Sequence, residues 1–284
     1  MNELAEVWRY RELLLNFVRR DLKIRYKNSV LGFAWSLLNP LFQILVLVIA
    51  FRYMMPVGGR NYSAKLFLAM VPWMFFAQAL MDGTSCVAEQ VQLIKKVYFP
   101  RLLLPLSTLC SNLVHFVLGL AVLAGFFALR HVTLEWSHVP LALGGLAIQI
   151  AFLAGLMLAA SSLAVYYNDV KFMLMSLVQA WFFLSPVMLP PEMALHGLQQ
   201  QMPFPQVAKA IYLLNPMAPP LIAYRTLLPH DAVGATTNDY LQVITQLVPD
   251  FMSYYAASAL VAAAMLLVGF LIFRRLQWHF AELG

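Results

Sequence analysis

The chain has 284 residues, of which 62% are hydrophobic and 11% charged, and its mean hydropathy is +0.73. That composition excludes a soluble domain, which must cover its core with polar surface. The net charge of +6, from 19 basic and 13 acidic residues, first bears on membrane topology rather than on nucleic acid. Only Cys86 and Cys110 are present, and Cys110 lies inside an apolar run, so neither a disulfide framework nor a cysteine metal site is supported.

The N-terminal stretch is charged throughout and lacks the apolar core and cleavage site of a signal peptide, so it is expected to stay on the mature protein. From residue 4 to 28, Val7, Leu14, Phe17, Val18, Leu22 and Tyr26 recur at helical spacing with Arg and Lys on the other faces. This predicts an amphipathic helix on the membrane surface, forming a unit of residues 1–29 ahead of a transmembrane domain of residues 30–284.

Apolar runs long enough to cross about 30 Å of hydrocarbon at about 1.5 Å per residue occur near 31–54, 66–86, 103–129, 139–166, 172–190 and 252–273. They predict six spans of an all-α integral membrane protein. With the N-terminus inside, thirteen basic residues fall on the inner side: Arg9, Arg11, Arg19, Arg20, Lys23, Arg25, Lys27, Lys95, Lys96, Arg101, Lys171, Arg274 and Arg275. The other six, Arg52, Arg60, Lys65, Arg130, Lys209 and Arg225, fall outside. This asymmetry predicts an even number of spans with both termini cytoplasmic.

Two segments break the pattern. Residues 87–101, VAEQVQLIKKVYFPR, are too short and charged to span, yet Val91, Ile94, Val97 and Tyr98 share a helical face before Pro100; a short surface helix is expected. Residues 190–229 hold eight of the sixteen prolines. A straight span cannot survive that spacing, so short re-entrant helices dipping into the outer leaflet are expected, a geometry tolerated only beside protein or a water-filled cavity.

No Gly-x-x-x-x-Gly-Lys-[Ser/Thr] stretch exists, so no phosphate-cradling loop is expected on this chain. The spans carry amides, hydroxyls and His115 (Asn39, Gln43, Gln78, Asn112, Gln149, Ser161, Ser162, Gln179 and Ser185 are the rest) but no Asp, Glu or Lys near mid-depth. This counts against ion-coupled transport, which needs intramembrane carboxylates. It also counts against a membrane glycosyl- or acyltransferase, because Glu192, His196, His230, Asp231, Asp239 and Asp250 are scattered singly.

Three blocks carry a resemblance: VRRDLKIRYKNSVLGFAWSLLNPLF at 18–42, LIKKVYFPRLLLPLS at 93–107, and LSPVMLP at 184–190 followed by LNPMAPPLIAYRTLL at 214–228. In order and spacing they resemble ABC-2 type permeases that export lipid-linked polysaccharides such as O-antigen or teichoic acid. Gln90, where the family often has Asn, and Met188–Leu189, where it often has an aromatic residue, depart from the pattern and leave the substrate open.

The resemblance implies a homodimer in a bacterial inner membrane, with two nucleotide-binding subunits that carry ATP and Mg2+. No cofactor is expected on this chain, which would be a transport subunit rather than an enzyme. A polyprenyl-pyrophosphate-linked glycan would thread between protomers. Arg19, Arg20, Lys23, Arg25 and Lys27 would gather the pyrophosphate. Trp35, Phe42, Tyr53, Trp181, Phe182 and Phe183 would line the channel. Val91, Ile94, Lys95, Lys96, Tyr98 and Arg101 would couple to the ATPase. An ABC-2 exporter of a drug or other lipid is the alternative.

Overall fold

A computed structural model of the chain describes residues 6, 8–26, 35–49, 62–229 and 240–280; Lys27 and Tyr53 lie outside these. Among the described residues the fold is helical without strands. Helix α1 (Arg11–Tyr26) forms in the segment expected to lie on the membrane surface, and α2 (Trp35–Ile49) and α3 (Tyr62–Ser85) follow it. A 3-10 turn (Ala88–Gln90) leads into α4 (Val91–Lys96). Two long helices come next, α5 (Leu103–Leu129) and α6 (Val139–Tyr166), and then α7 (Asp169–Leu184). The proline-rich segment folds as α8 (Pro191–Gln201), α9 (Pro205–Leu214) and α10 (Ala218–Arg225), and α11 (Tyr240–Leu247) and α12 (Phe251–Leu276) close the chain.

Among the described residues four stretches are long and apolar enough to cross a membrane: Ser63–Ser85, Leu103–Leu129, Trp136–Tyr166 and Phe251–Leu276. They coincide closely with four of the six expected spans. The remaining two are shorter as described, with 15 residues in α2 and 16 in α7. Helix α7 stops at Leu184, short of the expected 190, because Ser185 precedes Pro186 and takes extended angles of φ −110° and ψ 153°. A residue before proline is pushed out of the helical region.

Helix α3 is the centre of the bundle, with 78% of its apolar window buried, while α12 has only 22% buried and turns most of its surface outward. Pro72 lies inside α3, where its ring removes one helical donor. Next to it, Gln149 of α6 donates from Nε2 to the Pro72 carbonyl at 2.7 Å and accepts from Tyr224 Oη of α10 at 2.7 Å. One fully buried amide thus ties three helices together.

The proline-rich helices each begin with proline in the first turn, where its missing N–H costs no hydrogen bond. Every residue of α10 is buried, and it packs on α6, α3 and α12. It is therefore a part of the bundle interior rather than a flap over it. Apolar side chains group into a central core and two end clusters, one around Phe17, Phe99, Leu103 and Phe280, the other around Leu195, Tyr240 and Phe251.

Candidate functional site

A cavity of about 790 Å³ opens beside α3. Arg25 of α1 contributes to its wall, together with Trp35 and Gln43 of α2 and Trp73, Met74, Gln78 and Met81 of α3. From the other side come Asn112, His115, Phe116 and Gly119 of α5 and Met175, Gln179, Phe182 and Phe183 of α7. Its lining is methionine and aromatic surface with a few amides, a soft wall that offers stacking faces and sparse directional bonding.

The charged feature of this wall is at the end nearest α1. Arg25 Nη2 donates to Asp82 Oδ2, and Arg25 Nη1 to Asn112 Oδ1 at 3.4 Å. Asp82 also accepts from Gln78 Nε2 at 2.7 Å and from Asn112 Nδ2 at 3.1 Å. Asn112 is oriented in turn by Nδ2 donating to the Thr108 carbonyl at 3.0 Å. The pair is only partly exposed, 31% for Arg25 and 27% for Asp82, so it is screened less than a surface ion pair. Sequence reasoning passed over Asp82 because it lies close to a helix end; the available signal was Gln78 and Asp82 four residues apart on one face of α3.

The expected entrance cations are not equivalent. Arg20 is spent on its own surroundings, with Nε and Nη2 on Asp21 Oδ1 at 3.1 and 2.9 Å and Nη1 on Gln90 Oε1 at 3.1 Å. Arg19 and Lys23 are exposed on α1. Of the four that are described, Arg25 alone lines the cavity.

The expected channel aromatics also divide. Trp35, Phe182 and Phe183 line the cavity, and Phe42 is exposed but not in its wall. Trp181 turns into the core, edge-on to Phe76 at 5.6 Å and Phe152 at 5.7 Å, and donates Nε1 to Asn215 Oδ1 at 2.8 Å.

At the expected coupling segment, helical turns cover 88–96 and the chain is extended at Val97. Phe99, which precedes Pro100, anchors this exit edge-on to Phe17 at 5.6 Å. Ile94 is buried in the same cluster, at 8% exposure, while Tyr98 stands out at 88%. Ile94 thus faces the chain's own core; Tyr98, Val97, Lys95 and Lys96 present the free surface, and Val91 is half-buried. Arg101 leans over the Phe280 ring at 5.9 Å.

A second polar cluster lies at the opposite end. Arg225 is fully buried, and its Nη2 donates to the Val187 carbonyl at 2.7 Å. Tyr240 Oη donates to Glu192 Oε2 at 2.6 Å, with Lys65 over the Tyr240 ring at 5.1 Å. Burial first of all pushes the Tyr212 and Tyr240 phenols up, so both stay protonated. Glu192 is therefore a fastened structural acid. Among the described residues no group of three or more His, Cys, Asp or Glu could hold a metal.

Residues 12–228 match the family described as ABC-2 type transporter. An O-antigen export system permease protein RfbA of Myxococcus xanthus is 32% identical over 227 residues, 79% of this chain and 83% of that protein. Two proteins of the same name from Klebsiella pneumoniae are 27% and 25% identical over 275 and 276 residues, each match covering 96% of this chain and 95% of the relative. Three ordered sequence blocks, a helical membrane bundle and a match over most of the chain converge, and the protein belongs to the ABC-2 type transporter family as a membrane permease subunit rather than an enzyme.

Proposed function

We propose that this chain is the permease of an exporter that moves a lipid-diphosphate-linked polysaccharide of the O-antigen kind across a bacterial inner membrane. The carrying observation is the cavity whose wall combines Trp35, Phe182 and Phe183 with the Arg25 guanidinium at one end. Flat aromatic faces stack on the C–H faces of sugars without holding them tightly, which suits sliding. The guanidinium fork suits phosphate oxygens. Relatives named as O-antigen export permeases support the substrate class.

In this reading α2 and α7 complete six crossings, both termini are cytoplasmic, and α8 to α10 form the outer re-entrant part. Two copies enclose the path. A pair of ATPase subunits, which alone bind ATP and Mg2+, dock at 88–101 through Tyr98, Val97 and the two lysines, with Val91 at the edge. Arg19 and Lys23 collect the carrier at the surface, and Arg25 receives its diphosphate.

Reconstitution with the cognate ATPase in proteoliposomes tests this. Lipid-linked O-polysaccharide added on the ATPase side should become accessible to a glycosidase on the other side only with ATP. ATP-driven movement of a labelled phospholipid or drug without movement of the polysaccharide would overturn the substrate assignment.

A further inference from the structure

The ion pair at the cavity end is built so that one partner can leave. Asp82 keeps Gln78 Nε2 and Asn112 Nδ2 when the guanidinium moves away, so its carboxylate is not stranded. Arg25 depends on Asp82 and on the long 3.4 Å contact to Asn112 Oδ1. Arg25, Gln78 and Asn112 line the cavity, whereas Asp82 is not among its lining residues. Arg25 therefore faces the ligand space, and Asp82, tied to Gln78 and Asn112, holds it from the side.

We propose that Asp82 is a specificity residue, a charge mask that makes the entrance select a lipid diphosphate over a singly charged phospholipid. This deepens the reading of Arg25 as the diphosphate ligand and rests on it. Helix α1 is rich in cations, with Arg11, Arg19, Arg20, Lys23 and Arg25 on one 16-residue helix, and on a membrane surface such a helix sits among anionic headgroups. An unmasked guanidinium would bind those headgroups continually.

The discrimination follows from charge. When a phosphodiester headgroup displaces Asp82, one unit negative charge replaces another at the guanidinium, and the newcomer is repelled by the carboxylate left nearby. The exchange gains nothing. A diphosphate diester brings two negative charges and oxygens spaced for both nitrogens of the fork, so its attraction to Arg25 outweighs the repulsion. One unit charge a few ångströms away at a partly exposed site changes affinity by about tenfold.

The test uses the permease–ATPase complex in phosphatidylcholine nanodiscs, titrated with polyprenyl diphosphate N-acetylglucosamine and, separately, with phosphatidylglycerol, with bound lipid counted by native mass spectrometry. Wild type should prefer the diphosphate lipid by about tenfold or more. Asp82→Asn keeps an oxygen for Gln78 and removes the charge; it should bring the preference to within about threefold by gaining phosphatidylglycerol. An unchanged preference overturns the proposal, and so does a parallel loss of both lipids, which would make Asp82 a simple holder of Arg25. Asn112→Asp adds a second carboxylate to the network and should weaken diphosphate binding about tenfold; unaltered binding also overturns the proposal. Arg25→Gln separates the two readings: if it binds the diphosphate lipid like wild type, the entrance assignment itself fails, whereas lost binding with an unchanged preference in Asp82→Asn removes the mask alone.

Discussion

Gly269→Ala is expected to be among the most damaging single-methyl changes in this protein. A Cβ at Gly269 would lie 2.0 Å from the Gly155 carbonyl oxygen, 2.7 Å from its carbon and 2.9 Å from its Cα. The reciprocal Cβ at Gly155 would lie 2.4 Å from the Met265 oxygen and 2.5 Å from the Leu266 nitrogen. These obstacles are backbone atoms of α6 and α12, the most extensive helix pair in the fold, so no rotamer change relieves them. The helices must part by about 1 Å, and a gap of that size forfeits a quarter to a half of each dispersion contact along the seam. Overpacking of this kind costs about 3 kcal/mol. Gly125→Ala on α5 is the control: nothing lies within 4 Å of its Cβ position, and alanine should gain up to about 1 kcal/mol of helix propensity. Unfolding of the purified permease in detergent measures both. Gly155→Ala combined with Gly269→Ala should cost less than the sum of the singles, because one separation of the helices relieves both clashes. Should Gly269→Ala unfold with wild type while Gly125→Ala does not gain, the reasoning from backbone contact is refuted.

Three further outcomes are expected. Ile94→Asp should lower folded yield by burying a carboxylate at a cost of about 3 kcal/mol, whereas Tyr98→Asp should fold normally and lose copurification with the ATPase; normal copurification of the Tyr98 variant would remove that residue from the docking surface. Trp181→Ala should destabilise by about 4 kcal/mol, seen as a lower unfolding midpoint, while Phe183→Ala should leave the midpoint in place and slow polysaccharide export; the reverse order would reassign the two rings. Tyr224→Phe should cost about 1–2 kcal/mol by stranding Gln149 Oε1, and an unchanged midpoint would show that the α3–α6–α10 amide link carries little stability.

The long helices were legible because an uninterrupted apolar run bounded by polar residues leaves one solution in lipid: α5 and α6 fall on 103–129 and 139–166 as the sequence predicts. Three features were not. Helix α11 has eight residues, too few for a periodic pattern to stand out. Ile94 and Tyr98 fall at helical spacing in the sequence, but the helix ends at Lys96 and the chain is extended at Val97, so Tyr98 leaves the face that Ile94 buries; periodicity does not reveal where so short a helix stops. Trp181 and Phe183 are two residues apart, and on a helix this turns them to different sides; hydropathy cannot say which side faces the cavity.

The deeper reason is that in a bilayer apolarity does not separate the interior of the protein from its exterior. Lipid demands apolar side chains, while a helix packed on other helices can carry small and polar ones, since its neighbours satisfy them. Helix α3 is the least apolar of the four long candidates and the most buried, and α12 is the most apolar and the least buried. Of the residues that weaken α3 as a membrane span by hydropathy, Asp82 is engaged by Arg25 of α1 and Asn112 of α5, and by Gln78 of its own helix. The polar positions read from the spans already include Gln43, Gln78, Asn112, His115 and Gln179 of the cavity wall; asking for charges only at mid-depth is what leaves out Asp82, the residue that gathers Gln78, Asn112 and Arg25 at one end of it.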